Sequence, residues 1–527
     1  MTRAIIKQLW NEKPLQSIII IAVFVRLLAA FFSQGYGFHD DHFLVIEASQ
    51  SWADGTDYND WLPKSQIAAN PNATPIPSGH SFFYVGLHYL LFSLFNFLGI
   101  ADPKIKMLLV RLLHALFSLI VVVLGYKITE KLSNKKNARQ AGLLLAVLWA
   151  MPFLSVRNLM EVACIPFLFM GFWILLNAES KKDKLWYYLL AGLVVGLAFS
   201  IRFQTAVFIF GLGLYLLFKR NIKNTIAFGV GVVASILAIQ GIVDMFVWHR
   251  PFAELGEYIR YNNEHKYEYG ADRPEMYFLV LAGVVVPPIG LFFFWGFLNT
   301  WKKYTFLFLP TLLFLAFHVY FPNKQERFIL PILPFFIMLG VIGWNEWTDK
   351  SSFWQKQQKL LKGCWAFFWS VNILLLIVFS LTYSKKSRIE AMYYFYNKGK
   401  VERILAEDSN RYGVQMLPNF YSGKWMTIYN LDKTEMPDSS YVGKLREAGH
   451  YYNDIYTARY FTVHPDKYPQ YVLFIGDKRL DERINNLKPC FPKLAFVKKY
   501  EPGFIDKVLY KLNPVNKNET VFIYKTF

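Results

Sequence analysis

The segment SIIIIAVFVRLLAAFFS, residues 17–33, is followed almost at once by GFHDDHFLVIEAS, residues 37–49. The first stretch is long enough to cross about 30 Å of hydrocarbon as a helix. The second sets two adjacent carboxylates between two histidines where the chain leaves that helix. Apolar runs of roughly 16–23 residues recur from residue 17 to residue 383. Across 527 residues the chain is 54% hydrophobic and 18% aromatic, with a mean hydropathy of +0.24, above what a soluble globular chain shows. The pattern is that of an α-helical polytopic membrane protein.

The formal charge of +19 does not point to nucleic acid. Its lysines fall in short clusters between apolar runs (KITEKLSNKKNAR, ESKKDK, KRNIKN, TWKKY), the distribution that the positive-inside rule produces. The three cysteines, Cys164, Cys364 and Cys490, have neither metal nor redox spacing, and no small-residue cleavage site follows the first run. Candidate spans cover roughly 17–33, 107–126, 141–156, 161–177, 185–201, 203–218, 225–247, 277–297, 304–320, 328–345 and 364–383. The stretch 81–99 is ambiguous. Counting it as a span throws the lysine clusters onto the side opposite the N-terminus; leaving it along the interface gathers them with Arg3, Lys7 and Lys13 inside. The second count predicts about eleven spans, a juxtamembrane helix at 81–99, a cytoplasmic N-terminus and an external C-terminus.

That topology puts the loops 34–80 and 248–276, Arg157, Arg202 and the segment NKQER at 323–327 on one outer face. Residues 1–383 form the membrane domain. From 384 onward no span follows: SKKSRIEAMYYFYNKGKVERILAEDSN reads as an amphipathic helix with polar turns, and QYVLFIGD (470–477) and TVFIYKTF (520–527) read as strands. Residues 384–527 are therefore expected to be a small external α+β domain.

Asp40 and Asp41 sit at a partly desolvated interface, which raises a carboxyl's pKa and suits it to general-base work. His39 and His42 would hydrogen-bond the acids, or hold a divalent cation with them. Arg157, Arg202, Lys324 and Arg327 each abut apolar sequence on the same face, where a guanidinium needs a partner. Together they suit a phosphate, arginine bidentately and lysine as a point charge. Acids for a base and cations for a phosphate leaving group suggest transfer from a lipid-linked phosphosugar. Glu161 lies four residues after Arg157, so on one helix the two would pair; Asp244, near the end of its span, has the same supporting status. The phosphate loop GxxxxGK[ST], GxGxxG after a strand, GxSxG and HExxH are all missing from the sequence. The energy for transfer would then reside in the donor.

FHDDHF (38–43) resembles the HPDEHF-type motif after the first span of the Alg9-like and PIG-B-like mannosyltransferases, glycosyltransferase family 22 of the GT-C fold. NKQERFILPILP (323–334) is similar to that family's HKExRF…P..P segment, with Lys324, Arg327, Phe328, Pro331 and Pro334 matching. RNLMEV (157–162), RFQTA (202–206) and YGADRPEMYF (269–278) resemble further family segments in the same order, the last through Tyr269, Gly270 and Tyr277. His39, Asp41, Asn323 and Gln325 stand where the family has Pro, Glu, His and Glu. The resemblance covers about residues 17–345. It implies a GT-C enzyme taking a sugar, typically mannose, from a polyprenyl- or dolichyl-phosphate donor to a glycan or glycolipid acceptor. Asp40 would be the catalytic carboxylate, with Asp41 and His42 orienting. Lys324, Arg327, Arg202 and Arg157 would bind the donor phosphate, and Glu161, Asp244 and Tyr269 would support. No cofactor is implied, and a divalent cation is possible without being required. Its setting would be a bacterial inner membrane with a periplasmic site, or the endoplasmic reticulum membrane. The alternatives are a same-fold transferase of another sugar onto lipid or protein, and a lipid-linked glycan transporter or ligase.

Overall fold

The computed structural model describes residues 10–72, 74–178, 184–268, 273–408, 416–433, 443–447, 450–451, 461, 464–512 and 518–527. The chain divides into two compact units. One comprises Met1–Ser33, Ile76–Tyr84 and Val110–Leu381; the other comprises Gln34–Pro75, Val85–Leu109 and Thr382–Phe527. The last segment of the second unit begins beside the boundary expected at 383/384, and two earlier segments of chain join it.

The protein is an integral multi-pass membrane protein. Among the described residues, seven helices are long and apolar enough to cross a membrane: Pro14–Phe32, Pro103–Leu132, Met160–Ala178, Lys184–Ile201, Ile222–Trp248, Glu326–Thr348 and Gln358–Ser380. The remaining four of the eleven expected spans differ, each for a local reason. The run 277–297 forms two helices, Met276–Val284 and Ile289–Asn299, bent by 114°. The break holds Pro287 and Pro288, which cannot continue a helical hydrogen-bond ladder. Counted as one span, that pair makes eight. The run 141–156 is interrupted at Leu148 between Lys135–Val147 and Ala150–Ser155. Phe203–Phe218 and Thr305–Tyr320 are apolar helices of fewer than 18 residues. The ambiguous stretch 81–99 is the helix Phe82–Phe97.

Helices in lipid gain little from apolar burial against one another, so close approach of backbones carries much of the packing. A Cβ on Gly231 would lie 2.1 Å from the Leu189 carbonyl oxygen, and one on Gly343 2.0 Å from that of Gly296. Only hydrogen fits at either contact. The arginine inside the first span is also accounted for. Arg26, buried, donates to Ser118 Oγ at 2.8 Å and to the carbonyls of Ala146 and Leu145 at 3.0 and 3.2 Å. Its charge is thus spread over acceptors that a kinked run leaves open.

The second unit carries a seven-stranded sheet: β1 (Arg403–Asp408), β2 (Thr427–Lys433), β3 (Gly443–Glu447), β4 (His450–Tyr451), β5 (Tyr471–Ile475), β6 (Ala495–Tyr500) and β7 (Val521–Lys525). Their order is β4-β3-β2-β1-β5-β7-β6. β1 runs parallel to β2 and to β5, and the remaining pairs are antiparallel. Leu405, Tyr429, Val472, Phe474 and Phe491 fill the core on one side. β5 and β7 fall where alternation and flanking breakers predict strands. The helix expected over 384–410 stops at Tyr396, and RILAED becomes β1, because Ile404, Leu405 and Ala406 are fully buried between two neighbouring strands.

Candidate functional site

In the second unit the acids open a helical turn. Asp40 precedes a π-helical stretch, Asp41–Glu47, that continues into Ala48–Ala53. Adjacent side chains on an α-helix point about 100° apart, so the two carboxylates leave the turn in different directions. Asp41 is 3% exposed, whereas the Asp40 side chain is 40% exposed, with His39 Nδ1 at 3.8 Å from its Oδ1. The pair is therefore split into an outward acid and an inward one.

His42 turns inward as well. Its ring stacks against Tyr36 at 4.5 Å and against Tyr421 at 5.6 Å, and meets Phe43 and Phe420 edge-on. Its Nε2 lies 3.6 Å from Glu47 Oε1, and the same oxygen accepts the Phe420 backbone N–H at 3.0 Å. This cage fixes the orientation of the turn that begins at Asp40. Burial also raises the Tyr36 phenol above its usual range.

In the first unit the cations converge on one carboxylate. Glu161, fully buried at the start of its helix, has Oε1 3.1 Å from Arg202 Nη2 and 3.6 Å from Arg327 Nε. Arg202 sits at the break between Lys184–Ile201 and Phe203–Thr205, in extended conformation. Arg327 lies in the tight turn Glu326–Ile332. Each guanidinium also donates through Nε to a glutamine two residues away, Gln204 at 3.1 Å and Gln325 at 2.9 Å. Their Cζ atoms lie 5.1 and 5.6 Å from the centre of the Phe328 ring. Lys324, largely buried, donates to the Phe321 carbonyl at 2.7 Å. The Tyr258 hydroxyl, raised chiefly by burial and opposed by Arg202, hydrogen-bonds Gln204. Two guanidiniums on one carboxylate leave this place with net positive charge held in a fixed direction, which suits an anionic phosphate.

Arg157 takes another position than its spacing suggests. The helix is interrupted between Ser155 and Met160, so the two residues do not share one helical face. Glu161 pairs with Arg202 and Arg327. Arg157 donates to the Ser33 carbonyl at 2.8 Å and to Ser33 Oγ at 3.1 Å, closing the end of the first helix. Asp244 is fully buried and accepts from Gln240 Nε2 at 2.9 Å and the Glu254 N–H at 3.0 Å, so it caps the helix Ala253–Glu264. Tyr269 and Gly270 lie outside the described residues. Tyr277 is fully buried, its ring 6.2 Å from that of His318. Among the described residues no three His, Cys, Asp or Glu side chains converge as metal ligands.

Sequence reasoning missed Glu254. Its Oε2 accepts from Gly79 N at 2.7 Å, Ser78 Oγ at 3.0 Å and His80 N at 3.1 Å. Burial pushes its carboxyl up to about 7, Asp244 adding to the rise and those bonds opposing it. No local pattern marks it, because its partners lie 174–176 residues earlier. A carboxyl raised in the folded chain contributes stability that is complete below pH 4.5 and lost as pH rises through about 7. Melting of the purified chain should therefore show a decline over that window, on the order of 3 kcal/mol for such a shift. Glu254→Gln should flatten it, and parallel curves for variant and parent would rule Glu254 out as the titrating group.

The fold is that of the GT-C membrane glycosyltransferases. It matches ArnT from Cupriavidus metallidurans bound to undecaprenyl phosphate with a TM-score of 0.57 at 11% identity, covering 97% of this chain and 98% of that one. The apo state of that protein matches with 0.58 at 12%, over 96% and 97%. The apo oligosaccharyltransferase of Archaeoglobus fulgidus matches with 0.53 at 11%, over 94% of this chain and 74% of that one. No curated protein sequence matches. The chain belongs to the Alg9-like mannosyltransferase family, whose sequence profile matches residues 17–422, and it is a glycosyltransferase.

Proposed function

We propose that the protein transfers mannose from a polyprenyl- or dolichyl-phosphate donor to a hydroxyl of a glycan or glycolipid, with inversion. Asp40 takes the proton of the acceptor hydroxyl, whose oxygen attacks the anomeric carbon as the bond from that carbon to the phosphate oxygen breaks. The leaving phosphate keeps the bonding electron pair, and Arg202, Arg327 and Lys324 neutralise it. Such preorganised charge is worth several kcal/mol where water is scarce. Asp41 and His42 act as positioning residues on the helix that Asp40 opens. By this reading the chemistry does not require a metal, and the reaction faces away from the cytoplasm, since the lysine-rich loops mark the other side.

The observation that carries this reading is the pinning of Arg202 and Arg327 by one buried carboxylate in a chain of this family. Two structures of the same fold are described with undecaprenyl phosphate and with a dolichol-phosphate, which supports a lipid phosphate as donor. Arg327→Ala removes charge-assisted bonds of about 1.5–3 kcal/mol, so kcat/KM for a lipid-phosphate mannose should fall about 10- to 150-fold. Arg327→Lys should recover only part, because the bidentate fork is gone. Unchanged kcat/KM in the properly folded Lys324→Ala/Arg327→Ala chain would remove the phosphate role.

A further inference from the structure

Four helices of the first unit share both of their ends. Met160–Ala178, Lys184–Ile201, Phe203–Phe218 and Thr305–Tyr320 each have one end at Glu161, Arg202 or the Lys324–Arg327 turn. Their other ends surround a cavity of about 710 Å³, lined among others by Leu176, Tyr188, Leu216 and Phe306. Fourteen residues separate Glu161 from Leu175 and Tyr188 from Arg202, about 21 Å of helix in each case. The cavity therefore lies at the opposite membrane face from the arginine cluster.

Its chemistry is mixed in an ordered way. Leu132, Leu175, Leu176 and Leu216 form apolar wall, and Lys219, Lys302 and Lys303 stand at its mouth with Asn221. Glu346 offsets one of these charges: it pairs with Lys303 at 2.7 Å and accepts from Tyr304 Oη. Lys219 lies over the Tyr215 ring and Lys302 over that of Trp301, contacts that leave an ammonium its charge. Among the described residues, no carboxylate pairs with either.

We infer that this cavity holds an anionic phospholipid, its headgroup phosphate on Lys219 and Lys302 and an acyl chain along the leucine wall. Two features argue for lipid over a soluble anion. The cavity opens where membrane-crossing helices end, at headgroup depth, and basic pockets between such helices suit anionic headgroups. Its volume also falls within the usual range for an organic ligand and well exceeds a bare phosphate. The site is separate from the reaction's own lipid phosphate, which the Glu161 cluster serves.

The test uses the purified full chain in neutral detergent, titrated with phosphatidylglycerol and, in parallel, with phosphatidylcholine of identical chains; bound lipid is read by native mass spectrometry. Phosphatidylglycerol should bind the more tightly. Lys219→Gln and Lys302→Gln should each weaken it about fivefold, the worth of one lysine near an anionic headgroup. Both lysines are exposed, so the variants should fold. Arg327→Ala should leave this binding unchanged. Equal binding of the two lipids, or full retention in Lys219→Gln/Lys302→Gln, overturns the inference. Loss in Arg327→Ala would place the lipid at the reaction's phosphate site, and displacement by equimolar inorganic phosphate would make the site one for a free anion; either result also overturns it.

Discussion

Asp40→Asn should lower turnover by at least 10²- to 10⁴-fold, the range that a positioned general base supplies. Asparagine keeps the size of the side chain and one carbonyl acceptor, and it removes only the capacity to take a proton. The Asp40 side chain is 40% exposed, so the exchange should cost no more than about 0.5 kcal/mol of stability, as surface exchanges do. Asp41 makes the sharper control. It is buried, one step along the same turn, so Asp41→Asn should change melting more and turnover less. Initial rates with a lipid-phosphate mannose and melting curves on the same preparations separate the two. A near-normal rate in Asp40→Asn, or a deeper loss in Asp41→Asn at equal stability, would exchange the roles. Restoration of a chelated enzyme by a divalent cation would assign the acids to a metal.

Glu161→Gln should destabilise the first unit by about 3–5 kcal/mol, the cost of stripping a buried ion pair of one partner. The loss is large because one carboxylate serves two guanidiniums, Arg202 and Arg327. Once it is neutral, two buried like charges are left beside Phe328 without their shared counter-ion. Adding Arg327→Ala to Glu161→Gln should then cost less than Arg327→Ala alone, with a coupling of about 0.5–3 kcal/mol. Strict additivity in melting would show that Glu161 does not hold the arginines.

Much of this was legible in the sequence, and the exceptions share a cause. Hydropathy reports that a segment is apolar and not which way it runs, so 277–297 reads as one span although Pro287 and Pro288 turn it by 114°. The spacing of Arg157 and Glu161 assumes an unbroken helix, and the break at 156–159 sends the two side chains to different partners. Arg202 and Arg327 were each visible as costly charges beside apolar runs, but their shared partner is set by tertiary packing. Glu254 was invisible for the same reason. The inward fate of His42 depends on Tyr421, some 380 residues away in the chain, which no local pattern can reveal.

The bond between Glu47 and the Phe420 N–H spans 373 residues of sequence. At the usual pace of synthesis, about 5–20 residues per second, some 20 to 75 seconds pass between the emergence of its two halves. Until then the helix that presents Asp40 lacks the aromatic wall that orients it. A chain released early, even one with every membrane-crossing helix in place, would carry the acid without its support. If Asp40 acts as proposed, catalytic competence waits for the emergence of Phe420 and Tyr421, and products terminated before them would lack it.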